Sequence, residues 1–96
     1  LNYENKENLK DMFVLYPNPS RKGEVIKLRS WASQDIDATI LIADGAGRVI
    51  HNEKFVFSSG METFYFPVDK LSPGTYHLSL RSIKHPEGVR IPFVIF

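Results

Sequence analysis

Two aspartates, Asp35 and Asp37, stand two positions apart in a polar stretch between apolar runs, and carboxylates so placed could lend oxygens to a calcium ion. Calcium wants several more hard ligands, and neither further acids nor the spaced pattern of a calcium loop surrounds them, so a plain polar connection is the stronger reading. The histidines His51, His77 and His85 are scattered singly, whereas metal centres gather convergent ligands. Gly45-Ala46-Gly47-Arg48 has the glycines of a phosphate cradle, but such a cradle needs a following helix whose free amides meet the anion, and a strand-like run follows instead. Ser58 and Ser59 lack flanking elbow glycines and any assignable base or orienting acid. Lys54-Phe55-Val56-Phe57 and Arg29-Ser30-Trp31 interleave rings with cations as a base-stacking surface does. Twelve basic against eleven acidic residues nevertheless leave a net charge of +1, with no field to gather nucleic acid or anionic membrane. No catalytic residue, cofactor or metal is expected, and the chain reads as a module that other proteins recognise rather than as an enzyme.

The residues that could be recognised must be held by short strands. From Phe13 onward, apolar runs of five to eight residues alternate with Gly, Pro, Asn, Asp and Ser, which predicts seven of them. Phe13 to Tyr16 is closed by Pro17-Asn18-Pro19-Ser20, whose prolines lack amide donors. Val25 to Trp31 sets Ile26 and Leu28 against Lys27 and Arg29, the period of a half-buried strand. Ala38 to Ala43 is nearly all apolar and reads as central. Asp44 to Gly47 makes a tight hairpin into Arg48 to Phe57. Ser58-Ser59-Gly60 turns into Thr63 to Val68, with Phe64, Phe66 and Val68 on one side. Asp69 to Gly74 loops into Thr75 to Ile83, and His85-Pro86-Glu87-Gly88 turns the chain into Val89 to Phe96, where Val89, Ile91, Phe93 and Ile95 share a face. The prediction is an all-β, seven-stranded antiparallel immunoglobulin-like sandwich with Greek-key connections.

A chain of 96 residues is one domain, and its 43% apolar content is enough for a core without disulfides, which the absence of cysteine rules out. Residues 1–12 are polar, without sustained apolar period, and read as linker with room for a short helical turn; the domain then runs 13–96. No run approaches the roughly 18 apolar residues of a membrane span, so direct insertion is not expected. The opening Leu1-Asn2-Tyr3-Glu4-Asn5-Lys6 lacks a signal-peptide layout, and the chain reads as a piece of something longer.

Four segments in order resemble the type A C-terminal sorting domain carried by cargo of the type IX secretion system of Bacteroidetes, over about Phe13 to Phe96. They are Val14-Leu15-Tyr16-Pro17-Asn18-Pro19-Ser20 with Gly23 soon after, Ile42-Ala43-Asp44-Gly45-Ala46-Gly47-Arg48-Val49, Asp69-Lys70-Leu71-Ser72-Pro73-Gly74-Thr75-Tyr76, and a terminal apolar strand ending Phe93-Val94-Ile95-Phe96. The resemblance implies an address label read in the periplasm by the outer-membrane translocon and its shuttle protein. It implies removal at the cell surface by a sortase-like peptidase that can attach the cargo to anionic lipopolysaccharide, the cargo ending at the surface or secreted. It implies a seven-stranded sandwich, and roles in recognition for Tyr16, Pro17, Asn18, Pro19, Asp44, Gly47, Arg48, Leu71, Gly74, Tyr76 and the last four residues. Pro17 and Pro19 would stiffen the entrance, Gly47 and Gly74 would allow the turns, and the last strand would present an edge for docking.

This sequence departs from the family in two places. The family usually carries Lys or Arg near its end, and Pro92 to Phe96 has neither; cleavage in the family falls at a small residue before the box, and residues 1–12 hold no Gly, Ala or Ser. A retained module docking a surface component or signalling protein is the nearest alternative. A carbohydrate-binding sandwich appended to an enzyme is the other, with Trp31, Phe55 and Phe57 as its candidate rings. The last strand, read as an edge with a ladder donor missing at Pro92, is also expected to be able to pair with a copy of itself.

Overall fold

The computed structural model describes residues 9–21, 23–67 and 71–96. A 3₁₀ turn, Leu9–Met12, leads into β1 (Phe13–Tyr16), β2 (Val25–Ala32), β3 (Ile36–Asp44), β4 (Val49–Phe57), β5 (Gly60–Pro67), β6 (Gly74–Ser82) and β7 (His85–Ile95). One sheet runs β1-β2-β5 and the other β4-β3-β6-β7, every strand pairing being antiparallel. The chain leaves the second sheet after β4, pairs β5 with β2, and returns to set β6 beside β3, which is a Greek-key path between two packed layers. The all-β sandwich read from the sequence is the fold, and β3 lies inside its sheet as its apolar run foretold.

Alternation builds the core. On β2, Ile26, Leu28, Ser30 and Ala32 turn inward; on β3, Ile36, Ala38, Ile40 and Ile42; on β6, Tyr76, Leu78 and Leu80. Phe13, Phe55, Phe57 and Phe64 meet edge to face between the layers, at centroid separations of 4.7 to 5.2 Å. The expected inward set of β5 holds at Phe64 and Phe66, while Val68 lies outside the described residues.

Two boundaries differ from the sequence reading. Residues 9–12 were expected in the linker, yet their turn drives Leu9 and Met12 into the core, Leu9 to 2% exposure, so the packed unit starts at least at Leu9. Two apolar residues three apart in a polar stretch are too few for a periodic signal, and only tertiary contact reveals them. The last turn was expected at His85 to Gly88, but the chain already reverses at Ile83 and Lys84, with Ser82 paired to His85. Pro86 to Gly88 instead form an irregularity within β7, where the register against Leu80 and Ser82 slips. Gly88 takes φ +64, and a Cβ there would lie 2.7 Å from the Leu80 carbonyl oxygen, which explains a glycine inside a strand.

Candidate functional site

The box residues fold back onto the outer edge of β7. Both prolyl peptide bonds, Tyr16-Pro17 and Asn18-Pro19, are cis. Asn18 donates from Nδ2 to the Pro92 carbonyl at 3.0 Å and accepts on Oδ1 from the Val94 amide at 3.3 Å. Ser20, fully buried, continues the contact with its backbone: its amide donates to the Val94 carbonyl and its carbonyl accepts from the Phe96 amide, both at 2.9 Å. A parallel bridge, Ser20 to Ile95, records the same geometry, and the Ser20 hydroxyl donates to the Pro17 carbonyl.

β7 is an edge strand, as expected, but between Pro92 and Phe96 its edge is already engaged by the box. A residue in a strand turns its N–H and C=O to the same side. Because the Pro92 carbonyl faces Asn18, the missing donor of Pro92 lies outward and the ladder to β6 loses nothing, correcting the expectation of a gap there. The expectation of a bare edge for docking or self-pairing over the last residues is corrected likewise: the backbone groups it would use belong to Asn18 and Ser20.

The hairpin motif is a closed local unit. Asp44 Oδ1 accepts from the Ala46 amide at 3.0 Å and the Arg48 amide at 2.9 Å, and Oδ2 from Arg48 Nε at 3.1 Å. The Arg48 amide, foremost, and then the Ala46 amide and the Arg48 guanidinium hold the Asp44 carboxyl below its ordinary value. Gly47 and Gly74 stand at φ +87 and +153, conformations L side chains rarely adopt. In the third motif Leu71 is buried, and the Tyr76 hydroxyl donates to the Ser72 carbonyl; Asp69 and Lys70 lie outside the described residues.

Strand register gathers these pieces at one end of the sandwich. Asp44 pairs with Tyr76, Tyr76 with Phe93, Thr75 with Val94 and Gly74 with Ile95. The rings of Tyr76 and Phe93 stack at 5.5 Å. Asn18 and Ser20 close the row from the far side of β7. The sequence could not announce this row, because the Asn18 contacts span 74 and 76 residues. Ser20, though part of the first motif, had no recognition role in the sequence reading: it acts through its backbone, and a serine beside prolines reads only as a turn.

The fourteen expected recognition residues divide by what the fold does with them. Leu71, Tyr76, Phe93 and Ile95 are buried and shape the end from within. Pro17, Asn18, Pro19, Asp44, Gly47 and Gly74 set its backbone, while Tyr16 turns its ring to Lys27 and Arg29 on the three-stranded sheet. Arg48, Val94 and Phe96 present side chains outward, Phe96 being 64% exposed. Elsewhere, Asp35 accepts the Ser59 amide at 2.7 Å and so ties the β2–β3 connection to the β4–β5 turn. Among the described residues no group of three or more His, Cys, Asp or Glu side chains converges on a metal position. Of the three rings a carbohydrate platform would need, Phe57 is fully buried, Phe55 packs inward on Phe57 and Phe64, and Trp31 alone is exposed.

A family model described as the secretion system C-terminal sorting domain matches residues 14–90. The chain belongs to that family. It is thus a type IX C-terminal sorting domain, which directs export to the cell surface or secretion and interacts with the type IX secretion machinery. The sorting domain's last six residues, which include the stretch from Pro92 to Phe96 that the box grips, lie beyond the match. No curated protein matches the chain. Among solved structures, PorZ, described as an essential bacterial surface component of the type-IX secretion system of Porphyromonas gingivalis, aligns with a TM-score of 0.66 at 18% identity, over 97% of the sorting domain and 12% of the PorZ chain. At that identity the likeness is one of fold.

Proposed function

We propose that the domain acts as a folded, non-enzymatic label, read in the periplasm by the outer-membrane translocon and its shuttle protein and presented at the surface to a sortase-like peptidase. The carrying observation is the assembly of all four motifs into one end of the sandwich, with Arg48, Val94 and Phe96 facing outward around the gripped strand. A receptor meeting that end reads a composite of segments far apart in sequence, so it discriminates a folded domain from an unfolded tail. Buried Tyr76, Phe93 and Ile95 then serve recognition by fixing shape, not by contact.

The test is export of a periplasm-directed fluorescent protein fused to residues 1–96 in a type IX-competent bacterium, beside an Arg48→Ala/Phe96→Ala version and one lacking Phe93 to Phe96. Surface fluorescence from the intact fusion, lowered at least several-fold by the double substitution with no change in melting temperature beyond the small loss from the exposed Arg48–Asp44 pair, is the expected result. The truncation, which removes two core residues, should be retained. Periplasmic retention of the intact, folded fusion would overturn the reading, and the mass of the surface product tells a cleaved from a retained domain.

A further inference from the structure

We infer that the outer face of the three-stranded sheet is a docking surface for a protein partner whose matching patch combines apolar side chains with carboxylates. An antiparallel sheet with one face in water normally alternates apolar inward and polar outward. Apart from Ser30 the inward set of β2 obeys this, but its outward set contains Trp31, and the neighbouring strands add Val14, Met61 and Tyr65; these four are 58 to 65% exposed. On the other sheet the outward positions of β6 are His77, Ser79 and Arg81, the ordinary polar complement. The ring and thioether side chains on the first face do nothing for the core, since they stand on its solvent side.

Register defines the centre of the patch. Tyr16 pairs with Lys27 and Lys27 with Tyr65, a ring-cation-ring row across all three strands; Val14 pairs with Arg29, and Trp31 with Met61. Lys27 Nζ lies 5.6 Å and the Arg29 guanidinium 5.3 Å from the Tyr16 ring centroid, so one aromatic ring orders both cations before any partner arrives. Trp, Tyr, Met and Arg are the types enriched where protein interfaces concentrate their energy. Lys27 and Arg29 are the charges on this face among the described residues, both positive, which calls for carboxylates opposite them.

The same features argue against other occupants. A second copy docked face to face by two-fold symmetry would set cations against cations. A glycan would gain little from Val14 and Met61, which have no ring to stack on a sugar. The eight residues of β2 make the face about 26 Å long, and three strands make it about 10 Å wide between outer backbones, less than the roughly 800 Å² per partner of a durable complex. A transient contact suits a label that has to be released, and the inference rests on the sorting role proposed above.

The test carries Trp31→Ala/Tyr65→Ala and Lys27→Glu/Arg29→Glu into the 1–96 fusion, with Val56→Ser on exposed β4 as control, and measures surface appearance together with binding of the purified variants to the purified outer-membrane translocon at low and high salt. Expected are melting temperatures near that of the parent, at least tenfold weaker binding by both double variants, a flatter salt dependence for the charge reversal, lowered export, and a silent control. Export and binding of both double variants at parental levels would overturn the docking face while leaving the sorting role standing. Failure of the parent itself to be exported would instead remove the sorting role and this inference with it. Loss of self-association in sedimentation, or loss of binding to polygalacturonate, in place of lost translocon binding would replace the protein partner with a second copy or a glycan and overturn the assignment.

Discussion

Asp44 takes three hydrogen bonds on two oxygens, all from residues within four positions, which is why its hairpin was legible from Asp44-Gly45-Ala46-Gly47-Arg48 alone. The bonds favour the ionised carboxylate, so the folded protein holds its pKa below that of the unfolded chain. Stability from this source is therefore complete above the ordinary aspartate value of about 3.9 and is lost as pH falls through the lowered folded value. Asp44→Ala should lower the melting temperature at neutral pH and flatten the acid limb of the stability profile below about pH 4; parallel acid limbs in the two proteins would show that the carboxylate is unlinked to folding. Asn18 is the contrasting residue. Its type and its box were visible, but its two partners lie on the last strand, and nothing local encodes a contact across more than 70 residues.

At the level of elements, strand number and inward faces followed from period-two alternation, whereas sheet membership did not, since alternation says which side is buried and not which strand lies alongside. β7 shows how a local signal can mislead: Pro86 and Gly88 are turn residues by type, yet they occupy a slip in register, and the reversal falls earlier at Ile83 and Lys84. The far half of β7 depends on the box for its outer edge. Asn18→Ala should raise amide hydrogen exchange at Val94 at least tenfold while Phe93, whose amide faces β6, keeps its protection; unchanged exchange at Val94 would mean that the side chain does not hold the edge.

Over the whole molecule, the core takes side chains from the 3₁₀ turn at Leu9 through to Ile95, and the unit a sequence reader would cut at residue 13 is incomplete. Leu9→Ala should cost about 2 to 4 kcal/mol, read as a lower urea midpoint at unchanged slope, because a buried leucine loses both transfer free energy and the contacts around the hole it leaves. A midpoint shift equal to that of an exposed-site control such as Val56→Ala would place Leu9 outside the cooperative unit. The box and β7 also set how the domain bears load. Ser20 and Ile95 run parallel, one near the beginning of the packed chain and the other near its end. Tension drawn from the upstream side against an anchored final strand therefore slides the two segments along each other and strains their four hydrogen bonds together, in shear, instead of peeling them one at a time. Towed from its front with its tail held, the domain loads the 3₁₀ turn and the β1–β2 pairing first, and this clamp is what the pull meets next.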